Sequence, residues 1–153
     1  MKDERPLPQY AALTAAFGAV LGGFLSTAGR RIPERASLGD TVRIGLASYK
    51  LGRLIAKDPV TSFVRAPVTD DLDATEPKRD GAPRVLGELV TCPYCIGLWV
   101  ASGLSYSLVL FPRQTRLVTT IFGAQAVADF LNAAFVRLRA GQDGHAPGSD
   151  PWP

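Results

Sequence analysis

The stretch PYCIGLWVASGLSYSLVLFPRQTRLVTTIFGAQAVADFLNAAFV, residues 93–136, decides the fold of this chain. Residues 93–112 contain no Asp, Glu, Lys or Arg, and residues 117–136 contain Asp129 as their single charge. Each segment has the roughly 20 residues that a helix needs to cross a hydrocarbon core about 30 Å thick. The connector at residues 112–116 is so short that the two helices must form an antiparallel hairpin.

A third uncharged segment, residues 10–28, precedes this hairpin. The sequence therefore predicts an all-α fold, an integral membrane helical bundle of three to four hydrophobic helices that includes a C-terminal helical hairpin. A soluble domain is disfavoured because its helices would show a charged face, and a signal peptide is the less favoured interpretation of the first segment. Gly18, Gly22 and Gly23 give that segment a small-residue side suited to close helix packing, within the chain or in a dimer.

Residues 41–57 predict a helix of another kind, with its cations on one side. At about 100° per residue, Arg43, Lys50, Arg53 and Lys57 form one stripe opposite an apolar side. Such a helix can lie in the headgroup region with its cationic ends turned outward. It can also cross the membrane with its charges facing protein, and the pattern leaves both arrangements open.

Proline and charge mark the segments outside the predicted helices. We expect residues 1–9 to form an N-terminal tail, residues 66–84 a flexible charged loop and residues 140–153 a disordered C-terminal tail. The acidic residues of the loop are expected to be solvated rather than to bind a cation. Between these segments we expect an additional N-terminal transmembrane helix at residues 10–29 and a membrane domain over residues 38–137.

The distribution of Lys and Arg predicts the orientation of the chain. If residues 41–57 lie at the interface, thirteen of the seventeen Lys and Arg residues are on one side of the membrane. If residues 41–57 span the membrane, nine are on one side, five are on the other and three lie within the helix. Both arrangements place the region before Cys92 and the C-terminus in the cytoplasm, and only the side of the N-terminus differs. We therefore expect a multi-pass membrane protein with a cytoplasmic C-terminus.

Cys92 and Cys95, in the sequence CPYC, form a candidate redox pair at the start of the hairpin. Pro93 suits the first turn of a helix, which places Cys92 at the cap and Cys95 in the first turn. The N–H groups and the dipole of a helix N-terminus stabilise a thiolate, so this geometry permits thiol–disulfide exchange. A structural role and a metal shared between chains stay open. A structural zinc site needs four ligands, and besides these two cysteines the chain has His145 as its single histidine. We therefore predict no metal and no cofactor for the single chain.

Gln125, Asp129 and Asn132 recur at positions i, i+4 and i+7 of the last span and therefore share a face. Polar side chains inside a membrane usually face other helices or a water-filled path. The first interpretation is an interhelical hydrogen-bond seam, with Asp129 paired to Lys50 or Arg53. The second is a proton or ion pathway.

Three pieces of sequence, in order, resemble the bacterial DUF1360 family of small multi-pass membrane proteins of unknown function. They are LASYKLGRLIAKD at residues 46–58, RAP at residues 65–67 and CPYCIGLW at residues 92–99. The resemblance covers residues 38–136 and implies that the helix over residues 46–55 crosses the membrane. The positions that the family pattern singles out are Arg53, Asp58, Arg65, Cys92, Cys95, Gly97 and Trp99. The resemblance brings no established activity.

These features, together with the resemblance, predict a small multi-pass protein of the bacterial inner membrane with a structural or interaction role rather than an enzyme. One alternative is a membrane-bound thiol–disulfide oxidoreductase that uses Cys92 and Cys95. Another is a small oligomeric transport or ion pathway that uses Asp129. The expected partners are the lipid bilayer and a second copy, or another membrane protein, bound through small-residue helix faces. Nothing in the sequence indicates nucleic acid.

Overall fold

A computed structural model describes residues 7–32, 37–69, 77 and 82–143. Within these residues the secondary structure is helical, apart from one isolated antiparallel bridge between Thr69 and Pro77. The α-helices are α1 (Leu7–Ala28), α2 (Leu38–Lys57), α3 (Ser62–Arg65), α4 (Ala82–Thr91), α5 (Pro93–Leu110) and α6 (Pro112–Asp143), and short 3-10 turns occupy Gly29–Arg31, Pro59–Thr61 and Ala66–Val68. The prediction of an all-α fold is confirmed.

The helices α5 and α6 form the predicted hairpin, with Phe111 alone between them. The backbone of Phe111 (φ −135°, ψ 66°) leaves the helical region and reverses the chain. The amide of Thr115 donates to the carbonyl of Phe111, so α6 already begins at Pro112, where the missing N–H of proline costs nothing. The predicted connector at residues 112–116 is therefore wrong, because these residues form the first turn of α6.

Helix α2 lies between α5 and α6 and packs against both. Towards α5 it presents small residues four positions apart, Ser48, Gly52 and Ala56, which are all buried. A Cβ added at Gly52 would lie 2.9 Å from the carbonyl oxygen of Pro93 and 3.5 Å from the Cα of Gly97. Two backbones can approach this closely only where no side chain separates them.

The contact between α2 and α6 is also built from small residues. Thr115, Thr119, Gly123 and Ala126 of α6 are all buried. The hydroxyl of Thr119 donates to the carbonyl of Thr115 at 2.8 Å, so its polar group is satisfied within the helix. Ala47 of α2 is, like Ala126, fully buried. The centre of the bundle is therefore defined by closely spaced backbones rather than by large apolar side chains.

Two ion pairs fix the direction of α2 relative to α6. Asp40, in the first turn of α2, accepts hydrogen bonds from the guanidinium of Arg116 at 3.2 and 3.0 Å. Further along both helices, the Nζ atom of Lys50 lies 2.6 Å from the carboxylate of Asp129. The helices α2 and α6 therefore run in the same direction, antiparallel to α5. Their C-terminal ends share one end of the bundle with the N-terminus of α5.

Helix α1 attaches to α5 through aromatic pairs. Phe17 meets Trp99 edge to face with ring centroids 5.1 Å apart, and Phe24 stacks on Tyr106 at 4.3 Å. On each helix the two contacting residues are seven positions apart, and the earlier residue of α1 contacts the earlier residue of α5. Helix α1 therefore runs parallel to α5. The N-terminus of α1 thus lies at the same end of the bundle as the N-terminus of α5.

The small-residue side of α1 makes no close helix contact within the described part of the chain, and its packing in a dimer stays a prediction. A Cβ added at Gly18, Gly22 or Gly23 would meet nothing within 4 Å in the part of the chain that the structure describes. Close packing of two long helices is instead permitted by Gly52 of α2, which lies against the backbone of α5.

Among the residues that the structure describes, three helical segments are long and apolar enough to cross a membrane: Leu7–Arg31, Pro93–Leu110 and Pro112–Gly141. Helix α2 does not meet this criterion because of its charged residues. This agrees with the predicted bundle of three to four hydrophobic helices.

The predicted loop and tails fall largely outside the described residues. Within residues 66–84, Ala66–Val68 form a 3-10 turn and α4 begins at Ala82. Helix α6 extends beyond residue 140 to Asp143, and α1 begins at Leu7. Thr69 and Pro77 of the predicted loop form the isolated bridge. The other positions of the predicted loop and tails are not among those that the structure describes.

Candidate functional site

A buried arginine holds the turn that follows α2. Arg65 is 1% exposed, and its guanidinium donates to the carbonyl oxygens of Ile55 and Asp58 and to the hydroxyl of Thr61. The end of a helix leaves carbonyl groups without partners and carries partial negative charge, so a cation there satisfies both. Two positions of the family pattern, Asp58 through its carbonyl and Arg65 through its side chain, therefore fold the chain back at the end of α2.

Cys92 and Cys95 lie at the N-terminus of α5, as the sequence predicted. Cys92 is the N-cap residue, Pro93 is the first helical residue, and the amide of Cys95 donates to the Sγ atom of Cys92 at 3.3 Å. The two Sγ atoms are 2.7 Å apart and both cysteines are free thiols. Cys92 is partly exposed and Cys95 is exposed, so reagents can reach the pair.

The environment of Cys92 favours its thiolate and lowers its pKa below the ordinary value. The largest cause is the hydrogen bond from the thiol of Cys95, and the amides of Cys95 and Tyr94 act in the same direction. Lys57, at the end of α2, adds a positive charge nearby, while partial burial opposes these effects. Cys92 is therefore the cysteine that this geometry prepares as a nucleophile.

An open groove with a volume of about 850 Å³ lies between the C-terminal halves of α2 and α6, beside this helix start. We call it the cationic groove. Its charged lining residues are Lys50, Arg53, Lys57, Asp58, Asp129 and Arg137. Four cations against two carboxylates leave the groove with a net charge of +2. Apolar side chains line the remainder, among them Leu54 and Phe130.

Arg53 lies between the cationic groove and the start of α5. It lines the groove, and it also lines a cavity of about 270 Å³ together with Pro93, Tyr94 and Gly97. Its guanidinium lies over the ring of Tyr49, 5.9 Å from the ring centroid. The structure thus brings together Arg53 and Gly97, two positions of the family pattern that are far apart in sequence.

Of the three polar residues predicted to share a face of α6, one reaches another helix. Asp129 forms the ion pair with Lys50, so the predicted pairing with Lys50 or Arg53 is confirmed for Lys50. The side-chain amide of Gln125 lies 3.5 Å from the Asp129 carboxylate, and Asn132 is exposed. Asp129 therefore joins α6 to α2 beside the cationic groove.

The described residues contain no cluster of three or more His, Cys, Asp and Glu side chains suited to a metal ion. His145 and the acidic residues between positions 70 and 76 lie outside the described part of the chain. Trp99, the last position of the family pattern, packs on Phe17 of α1 and so serves the contact between helices.

Sequence reasoning missed two features that fix how the helices around this site are arranged. Ser48, Gly52 and Ala56 are small residues four positions apart, the same pattern that predicts close helix packing for α1. In α2 this pattern lies among charged residues, which mask it. The pairing of Asp40 with Arg116 was also missed. Asp40 is the single carboxylate within α2, and this was the available signal.

The fold and the site define a small helical protein with membrane-compatible spans and a thiol pair at the start of one of them. The family described as "Protein of unknown function (DUF1360)" matches residues 44–135, and the chain belongs to this family. The match starts after α1 and extends from α2 through most of α6.

Among curated proteins, the chain is similar to the UPF0713 protein YngL of Bacillus subtilis (strain 168). The two are 28% identical over 114 residues, which cover 69% of this chain and 87% of YngL. No solved structure matches the chain.

Proposed function

We propose that this protein is an integral membrane protein of structural or interaction function, in which α1, α2, α5 and α6 all cross the bilayer. The observation that carries this proposal is the position of α2, which lies between the two helices of the apolar hairpin. With 20 residues, α2 is about 30 Å long, the thickness of the hydrocarbon core. A helix lying in the headgroup region could not run alongside both α5 and α6.

The charges of α2 fit this position because most of them have partners or lie near its end. Lys50 pairs with Asp129, and Asp40 pairs with Arg116 and with Arg43. An ionisable group within a membrane usually faces protein and finds a partner, which these pairs provide. The cations nearest the C-terminus of α2 can extend their long side chains towards the headgroups.

Four crossings place the N-terminus, the segment between α2 and α5, and the C-terminus on one side of the membrane. That side carries nine Lys and Arg, and the opposite side carries five. The excess favours the cytoplasm for this side. The similarity to YngL of Bacillus subtilis supports the bacterial inner membrane as the location of the protein.

Cysteine labelling tests the four-crossing arrangement. Ser37→Cys and Phe63→Cys are made separately in a Cys92→Ser/Cys95→Ser background, since both positions are exposed at opposite ends of α2. We expect a membrane-impermeant maleimide to label intact cells at position 37, and at position 63 only after permeabilisation. Protection of both positions in intact cells would favour three crossings with α2 at the cytoplasmic interface. Labelling at position 63 alone would reverse the orientation.

Thiol–disulfide exchange with a partner protein is a second candidate function, favoured by the geometry at Cys92. The Cys92 thiolate would attack a disulfide of the partner, forming a mixed disulfide and releasing one partner thiolate. The Cys95 thiolate would then attack the Sγ atom of Cys92 and release the second partner thiol. The partner is reduced, the pair becomes a disulfide, and a cytoplasmic dithiol would restore it.

Trapping separates this activity from a purely structural role of the pair. If exchange occurs, Cys95→Ser should accumulate a mixed disulfide with a partner, whereas Cys92→Ser should not. Both variants should still insert into the membrane, since neither removes a helix contact. If neither variant gives an adduct, the redox function is excluded and the structural role remains.

The pH dependence of alkylation tests the thiolate directly. Because the pKa of Cys92 is lowered, its thiolate fraction at neutral pH exceeds that of a free cysteine. The iodoacetamide rate at Cys92 should therefore rise with pH and level off at a lower pH than the rate for glutathione. In Cys95→Ala the main cause of the shift is removed, and the midpoint for Cys92 should move to higher pH. An unchanged midpoint would contradict the assigned cause.

A further inference from the structure

The cationic groove has more positive charge than its own carboxylates neutralise. The Asp129 carboxylate is held by Lys50 at 2.6 Å. Among the described residues no carboxylate lies within ion-pair distance of Arg53, Lys57 or Arg137, and Asp58 is the remaining acidic residue of the lining. A groove with three cations facing one carboxylate is suited to an anionic ligand.

The groove also has an apolar wall. Leu54 of α2 and Phe130, Ala133 and Ala134 of α6 line it beside the cations. At its inner end the ring of Tyr49 stacks on that of Phe130, with centroids 5.3 Å apart and the ring planes 21° from parallel. A ligand that fills this space must therefore combine negative charge with an apolar portion.

The position of the groove indicates where such a ligand would come from. Lys57 is the last residue of α2, and Arg137 lies near the end of the apolar part of α6. Both lie at the end of the bundle that also holds the N-terminus of α5. If these helices cross the bilayer as proposed above, the cations of the groove lie at the headgroup level of one leaflet and its apolar wall faces the acyl chains.

We propose that the cationic groove is a binding site for an anionic phospholipid, with the lipid phosphate held by Arg53, Lys57 and Arg137. One acyl chain lies along Leu54 and Phe130. Arginine suits this role because its planar guanidinium donates two parallel hydrogen bonds to phosphate oxygens, and basic grooves between transmembrane helices commonly receive anionic headgroups. The stacking of Arg53 on Tyr49 holds its guanidinium in place for this contact.

This site rests on the proposed membrane insertion, but its binding is measured in detergent micelles, so either proposal can fail alone. The full-length protein in dodecyl maltoside is titrated with phosphatidylglycerol or phosphatidylcholine, and bound lipid is counted by native mass spectrometry. We expect the anionic lipid to bind about tenfold tighter. Equal binding of the two lipids would overturn the proposal, and this comparison requires no variant.

Variants locate the binding within the groove. Arg53→Gln and Arg137→Gln should each weaken phosphatidylglycerol binding about fivefold, the effect of one cation near the headgroups. The matched control is Arg139→Gln, which removes the same charge from the same end of α6 at a position that does not line the groove. Its effect should be less than about twofold. An equal loss in Arg139→Gln would show that the attraction is not specific to the groove.

A competition experiment distinguishes the lipid from a soluble source of phosphate. Inorganic phosphate at millimolar concentration should leave the bound phosphatidylglycerol in place, because it has no apolar portion to contact Leu54 and Phe130. Displacement of the lipid by inorganic phosphate would assign the groove to a soluble anion and overturn the lipid proposal.

Discussion

Helix α1 is strongly apolar but lies at the edge of the bundle, whereas α2 carries several charges but lies at its centre. Helix α1 is among the segments apolar enough to cross a membrane, yet it is attached at the edge of the bundle through two aromatic pairs with α5 and a hydrogen bond from the Tyr10 hydroxyl to the Glu88 carboxylate of α4. Helix α2 fails that criterion, yet it packs between α5 and α6. For helices that cross a bilayer, as proposed above, apolar surface has no strong preference for a neighbouring helix, so small residues and paired polar groups determine which helix occupies the centre.

Replacing a glycine of α1 or of α2 with alanine should give the largest difference in stability between the two helices. In Gly52→Ala the added methyl group would lie 2.9 Å from the Pro93 carbonyl oxygen, so α2 and α5 must separate. We expect a loss of about 2 kcal/mol in the free energy of unfolding, measured by denaturant titration in mixed micelles. The matched change Gly18→Ala meets open space and should be neutral or slightly stabilising. Equal losses in both variants would show that α1 packs as closely as α2.

The ion pair between α2 and α6 should have the next largest effect. Lys50→Met leaves the Asp129 carboxylate without its cation, and we expect a loss of about 1 kcal/mol because this pair is partly exposed. The double variant Lys50→Met/Asp129→Leu removes both charges and should recover most of the loss. A double-mutant cycle in the same micelles measures the coupling. Additive losses would mean that the pair does not hold the helices together.

The apolar spans, the hairpin and the cap at Cys92 could be predicted from the sequence because each depends on local signals. The absence of charge over residues 93–112 sets a length, and Pro93 sets a helix start. The central position of α2 could not be predicted in this way. It depends on Gly52 meeting the backbone at Pro93 and Gly97, and a single sequence does not show which helix faces which.

The contrast between local signals and contacts over a long sequence distance also explains why one of the predicted polar residues of α6 pairs with another helix. A shared face for Gln125, Asp129 and Asn132 follows from helical spacing, but which of them meets a partner depends on the neighbouring helix. Asp129 is level with Lys50, whereas Asn132 is exposed. The cationic groove likewise requires α2 and α6 to run in parallel, a relation that is fixed by contacts between residues distant in sequence.

The attachment of α1 should show the smallest effect. Phe17→Ala removes the edge-to-face contact with Trp99, which is worth about 1 kcal/mol at most, since lipid can replace the lost apolar contact. We expect a correspondingly small loss in the free energy of unfolding, together with weaker protection of Trp99 fluorescence from a lipid-borne quencher, measured in a Trp152→Phe background because the chain has two tryptophans. The matched control is Leu25→Ala, a truncation at an exposed apolar position of the same helix, which should change neither quantity. If Phe17→Ala instead destabilises the protein more than Gly52→Ala does, α1 is a central element of the bundle, and the contrast between the two helices is wrong.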